Sequence, residues 1–247
     1  MHTILRSLPA LLLATIAHST LPAFADVASD GASTLLEETF ANCPPGNYNG
    51  NPAAGPGKIK TWRGPVENLF GSFEIIEASG LPAPLLSALA IRDTAGTRDQ
   101  APSLVLTWPP VDAGAPGSVV VEFHYKILPP STDVPGKPRH YRADILAGGA
   151  WSKAICNVIL EQGQIRLHDG QKASSLGPCK AGQWQSLRLE VDTSARTFNL
   201  SIDGRLLANR LPWINPGNPA FASLTIRADM SPTDRNGDPV LLLANLK

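Results

Sequence analysis

Gln185-Ser186-Leu187-Arg188-Leu189-Glu190-Val191, then Thr197-Phe198-Asn199-Leu200-Ser201-Ile202-Asp203-Gly204, is the stretch that decides the fold. Leu187, Leu189 and Val191 alternate with Ser186, Arg188 and Glu190; Phe198, Leu200 and Ile202 alternate with Thr197, Asn199, Ser201 and Asp203. Successive side chains of a strand point to opposite faces, so each run has one apolar face and one wet face. Asp203-Gly204 closes the second run, and Asp-Gly suits a hairpin whose two central residues need positive φ.

Working outward, the same alternation recurs. Val121, Phe123, Tyr125 and Ile127 interleave with Glu122, His124 and Lys126, and Leu224 and Ile226 with Thr225 and Arg227. Strands are expected at 35–40, 73–77, 87–93, 103–108, 119–127, 141–147, 152–160, 164–168, 185–191, 197–202, 222–228 and 240–246. A helical turn is possible around 83–90, but no long window holds a 3.6-residue period, so the helices of an α/β fold are missing. One wet and one buried face per strand implies antiparallel sheets packed face to face. The expected fold is all-β, a two-sheet antiparallel jelly-roll sandwich in a single domain over 26–247.

Composition agrees. Pro (23) and Gly (21) make up about 18% of the 247 residues, against roughly 12% in an average protein. Most of them punctuate the strands, as at Pro109-Pro110, Asp169-Gly170 and the 215–219 cluster. The 43% of apolar residues can fill a core, which excludes a disordered chain. Twenty-one basic residues balance 21 acidic ones, which argues against nucleic acid or an anionic membrane surface as the main partner.

Residues 1–25 read as a signal peptide: Arg6, an apolar run from Leu8 to Ala17, and Ala23-Phe24-Ala25 before the expected cut. The apolar run is too short to span a bilayer, and no later segment is apolar enough, so a secreted or periplasmic protein with no membrane span is expected. Cys43, Cys156 and Cys179 would then meet an oxidising compartment. A Cys156–Cys179 disulfide across neighbouring strands is expected first, with pairs involving Cys43 next.

The segment Gly182-Gln183-Trp184 through Asp192, followed by 197–204, resembles the concanavalin A-like lectin/glucanase group, which includes laminin-G-like domains. Leu36-Glu37-Glu38-Thr39-Phe40 and Leu241 to Lys247 look like that group's first and last strands, which pair near each other. The resemblance implies a jelly roll and frequent glycan recognition, without implying catalysis.

Two chemistries and one binding mode follow. Laminarinase-like hydrolysis on this fold uses Glu-x-Asp-x-x-Glu; Glu190 and Asp192 match, but Ala195 stands where the last Glu belongs. A uronate lyase needs a charge-neutralising group and a Tyr or His base, and His140, Tyr141 and Arg142 supply those types. If the strands carrying Glu122, His124 and Lys126 and His140, Arg142 and Asp144 are neighbours, their wet faces form one polar patch, the floor of a groove. Tyr141 has the wrong parity to join it.

Binding without chemistry uses an aromatic platform plus a few polar groups. Trp184 and Trp108 read as core. Trp62, Trp151 and Trp213 lie beside Gly or Pro in loops; Trp151 and Trp213 are the platform candidates, with Glu122, His124 and Arg142 as polar partners. Asp234, Asn236 and Asp238 have the opening spacing of a calcium loop, but Pro239 and Asn245 replace its Gly and Glu. Ca2+ is a possible cofactor by resemblance only. An exported carbohydrate-binding or cell-surface module is the leading expectation. A polysaccharide-cleaving lyase or glycosidase is the alternative, and a structural or protein-binding module the third.

Overall fold

The computed structural model describes residues 33–48, 57–62, 71–93, 101–129, 140–231 and 239–247. The expected signal peptide and calcium-loop residues Asp234, Asn236 and Asp238 lie outside these, as do the side chains of Trp62 and His140. The described residues form two antiparallel sheets facing each other across one core.

In chain order the strands are β1 (Gly46–Asn47), β2 (Lys58–Trp62), β3 (Gly71–Glu77), β4 (Ser87–Asp93) and β5 (Ser103–Asp112). There follow β6 (Ser118–Ile127), β7 (His140–Ala147), β8 (Cys156–Glu161), β9 (Gln164–His168) and β10 (Ala173–Pro178). The last five are β11 (Gln185–Asp192), β12 (Thr197–Ile202), β13 (Arg205–Pro212), β14 (Ala220–Ser231) and β15 (Leu241–Ala244). One sheet runs β1-β3-β4-β15-β6-β11-β12-β13, the other β10-β9-β8-β7-β14-β5-β2. Among the described residues the only helical element is one 3-10 turn, Trp151–Lys153, and no helix is long and apolar enough to cross a membrane. The possible helical turn at 83–90 is instead loop running into β4.

Each strand buries the face its alternation marks. Phe123 and Tyr125 of β6 and Leu187 and Leu189 of β11 are buried in the core, with Phe123 directly opposite Leu187. Fully burying a side chain of this size stabilises by about 1.5–3 kcal/mol. Asp203 (φ 51°) and Gly204 (φ 73°) close the β12–β13 hairpin, as the Asp-Gly signal requires. The first and last segments meet: Glu38 and Leu246 exchange both backbone hydrogen bonds at 2.8 Å.

The outer face of the eight-stranded sheet is partly covered. Trp184 packs there with Ala88, Ala90, Leu242 and Ala244, and donates its indole N–H to the Ser79 carbonyl at 3.0 Å. The 78–86 loop thereby caps β4 and β15, which are buried on both faces.

The expected Cys156–Cys179 disulfide is corrected: all three cysteines are free thiols. Strand β9 intervenes between β8 and β10, and Cys179 pairs with Gly163, at the opposite end of β8 from Cys156. At about 3.3 Å per residue the two sulfurs are roughly 20 Å apart along the strand, far beyond disulfide reach. Burial pushes the Cys156 thiol up to about 12 and the Cys179 thiol up to about 11. Native protein at pH 8 should therefore resist alkylation at both, because the thiolate is the reactive form. Denatured without reductant, it should be labelled at all three cysteines by mass spectrometry; labelling at one alone would mean that a disulfide exists.

Candidate ligand-binding face

The expected single polar patch does not form. β6 lies in the eight-stranded sheet and β7 in the seven-stranded one, so Glu122 and His124 are on one outer face of the sandwich and Arg142 on the other. Glu122 takes an ion pair from Arg188, which also holds Glu190 at 2.6 Å. His124 is buried, although its parity points outward; burial pulls its pKa below the usual histidine value, with Asp203 opposing and Lys247 adding to the shift. Nearby, an open hollow is lined by Glu190, Asp192, Asn199, Asn209 and Arg210. The hydrogen bond from Arg188 holds Glu190 below its usual pKa, and the Ala195 backbone N–H does the same for Asp192. Both remain ionised, the wrong state for a general acid.

The outer face of the seven-stranded sheet carries a different arrangement, which the cross-strand pairing arranges in rungs. One rung is charged: Arg227 of β14, Asp144 of β7, Ile159 of β8 and Arg166 of β9. The next is Asp229, Arg142, Glu161 and Gln164. Arg142 donates to both Asp144 oxygens, at 2.6 Å from Nη2 to Oδ1, and reaches Glu161 at 3.5 Å. Glu161 also accepts from Arg166 at 2.8 Å. The side chains of Arg142, Asp144 and Glu161 are only 12–14% exposed. Burial alone would lower the Arg142 pKa; the hydrogen bonds and charges of Asp144 and then Glu161 carry it above its usual value.

Next to the Asp144 rung, on the side away from Arg142, lies one whose single lysine is at the sheet edge: Lys60 of β2, Val105 of β5, Thr225 of β14, Leu146 of β7, Asn157 of β8 and His168 of β9. The 148–155 connection between β7 and β8 rises beside it and presents Trp151, which is 50% exposed. Its indole meets the His168 ring edge-on, centroids 5.0 Å apart and planes at 76°. His168 Nδ1 accepts the Gly170 N–H at 3.0 Å.

The Trp151 loop is tied down on every side. Gly148 (φ 98°) and Gly149 (φ 76°) bend it where a Cβ would stand 2.1 Å from the Lys153 carbonyl oxygen and 2.2 Å from Ser223 Oγ. Only glycine fits both demands. Thr225 Oγ1 donates to the Gly149 carbonyl at 3.2 Å, and Asn218 Nδ2 to the Lys153 carbonyl at 2.7 Å. Asn215 Nδ2 donates to the Ser152 carbonyl. The backbone that carries the indole is thus held in place, and the ring itself rests on His168.

The remaining expected residues fall elsewhere. Trp213, expected as an exposed platform, is 2% exposed and donates to the Thr197 carbonyl, so it has no face to offer; the prolines at 212 and 216 frame a packed segment instead of an open loop. Tyr141 packs against the core, and burial raises its pKa. His140 stands at the start of β7, paired with Ser231. Tyr141 and Arg142 thus point to opposite faces of β7, and those two members of the lyase trio do not converge. No group of three or more His, Cys, Asp or Glu suited to a metal ion occurs among the described residues. Asn157, Glu161 and Arg166 escaped the sequence reading. Their signal was the parity of β8, where Asn157, Ile159 and Glu161 alternate with Cys156, Val158 and Leu160, together with the Gln162-Gly163 turn that sets the β8–β9 register.

No family model and no curated protein sequence matches the chain. Solved structures similar to it include a carbohydrate esterase from the Shiga toxin-encoding bacteriophage phi24B, 14% identical, with a TM-score of 0.53 over 87% of this chain and 97% of that one. The catalytic domain of a glycoside hydrolase family 131 protein from Coprinopsis cinerea is 15% identical, with a TM-score of 0.52 over 86% of this chain and 93% of that one. A sialidase is 14% identical at a TM-score of 0.49 over 78% of this chain, which spans 16% of the sialidase's length. For the esterase and the hydrolase, at these identities, the likeness is one of fold, a β-sandwich.

Proposed function

We propose that the chain is an exported, non-catalytic carbohydrate-binding module of the concanavalin A-like type, with its binding surface on the outer face of the seven-stranded sheet. One observation carries the reading: a half-exposed Trp151 on a hydrogen-bonded loop shares its face with Arg142, Asp144, Glu161 and Arg166, whose charges are already paired. A pyranose ring has apolar C–H faces and a fringe of hydroxyls, so it wants a fixed aromatic surface and a few oriented polar groups. Catalysis would want instead an acid or base with a displaced pKa in contact with the ligand. On this face Asp144 and Glu161 are engaged by arginines, and the tyrosine of the lyase reading packs against the core. The esterase and hydrolase that share the fold act on carbohydrates by name, which fits a glycan partner. Export rests on the leader-like residues 1–25.

Affinity gel electrophoresis against soluble polysaccharides tests the reading. The protein should be retarded by at least one, and Trp151→Ala should weaken that retardation tenfold or more with an unchanged Tm, because a half-exposed indole contributes little to the core. Free migration of the wild type through every gel would sink it.

A further inference from the structure

Asn157 is an outward-facing side chain at a position where the sheet gives it nothing to hold. It is 6% exposed, and its Oδ1 is buried without a hydrogen bond. A buried amide left unpaired costs stability, and native folds keep few of them. Its neighbours in the ladder are Leu146 on one side and His168 on the other. His168 spends Nδ1 on the Gly170 N–H, so in the neutral ring the proton sits on Nε2, a donor not engaged by any described residue. Trp151 stands against that same ring.

We propose that Trp151, His168 and Asn157 form one subsite for a neutral sugar residue: Trp151 covers a C–H face, while Asn157 and His168 Nε2–H hydrogen-bond to ring hydroxyls. The inference rests on the carbohydrate-binding reading and specifies its ligand class. An amide turns about its last torsion between two nearly equivalent wells, so Asn157 can offer a hydroxyl either its oxygen or its NH2. A hydroxyl both donates and accepts, which matches an acceptor-capable amide beside a fixed N–H donor. Neutrality follows from the charge layout. Asn157 lies between the uncharged Leu146 and His168, the lysine of its rung, Lys60, stands at the far edge of the sheet in β2, and Arg166 on the adjacent rung is already bound to Glu161. A uronate carboxylate seated on Asn157 would have to draw Arg166, on the neighbouring strand, out of its pair with Glu161.

The test uses the whole protein with two variants, Asn157→Leu and His168→Phe, run through gels containing laminarin, xylan, galactomannan, alginate or polygalacturonate, with Tm measured in parallel. Retardation is expected from a neutral polysaccharide, weakened at least tenfold by each variant. Asn157→Leu should leave Tm unchanged or raise it, because it removes a buried carbonyl oxygen with no partner; a structural asparagine would instead lower it. Unchanged retardation in Asn157→Leu, with Trp151→Ala still losing it, would overturn the subsite and spare the broader reading. Retardation by alginate or polygalacturonate alone would overturn the ligand class. No retardation by any gel would end both.

Discussion

Arg142→Met should destabilise the protein by about 2–4 kcal/mol, read as a drop in Tm or in the urea midpoint. Removing one member of a nearly buried ion pair leaves the other charge without its partner, at about 3–5 kcal/mol when burial is complete. Here the side chains keep 12–14% exposure, and Arg166 continues to serve Glu161, so the expected loss lies below the full figure. Asp144 carries most of it, since Arg142 is its two-pronged donor. The double variant Arg142→Met/Asp144→Leu separates this account from simple loss of packing. Replacing both charges by apolar groups should recover much of the stability. A double variant as unstable as the single one would show that the stem of Arg142, not its charge, is what the sheet needs.

Phe123→Ala is expected to cost about 3–5 kcal/mol, the range for truncating a fully buried phenylalanine. Phe123 sits on β6, between β15 and β11, with no solvent exposure. It meets Tyr125 edge-on at a centroid distance of 6.5 Å and lies opposite Leu187. Sheets on both sides of it are pinned by their ladders, so the cavity has little scope to collapse. Phe123→Leu, which keeps most of the volume, should cost less than half as much in the same urea titration. Equal losses for the two would mean that the ring's shape, rather than its bulk, sets the cost.

Where the sequence was readable and where it was not follows the sheets themselves. The β4, β9 and β12 bounds coincide with the expected runs at 87–93, 164–168 and 197–202, and the other central strands are found within a few residues. The four strands that were missed, β1, β2, β10 and β13, are the edge strands of the two sheets. An edge strand has neighbours on one side only and need not bury a face, so its alternation fades. β10, Ala-Ser-Ser-Leu-Gly-Pro, and β13, with two register shifts and mostly exposed side chains, have no pattern to read. Leu35–Phe40 was expected as a strand and reduces to the single bridge at Glu38, its buried Leu36 and Phe40 having supplied the apolar signal.

The candidate site was readable in part for a related reason. Trp151 stood out because Gly148-Gly149 marks a loop, whereas Trp213 stood out on equal grounds and is buried. Proline and glycine locate a turn but do not say which way an indole faces. Asn157 and Arg166 needed the β8–β9 register, and grouping Glu122 with Arg142 needed sheet adjacency, which alternation within a strand does not contain.

The position of β15 has a consequence for how the chain is assembled. Leu241–Ala244 lies between β4 and β6, in the middle of the eight-stranded sheet, although it comes last in chain order among the described strands. Until it arrives, β4 and β6 are two open edges with unpaired backbone groups and bare apolar flanks. The sandwich therefore cannot close while these residues are still in the ribosome tunnel, and until then the strands already made form an open, unfinished sheet. Open strand edges and bare apolar flanks are what make incomplete chains prone to aggregate, so this sheet is exposed to that hazard until its central strand is in place.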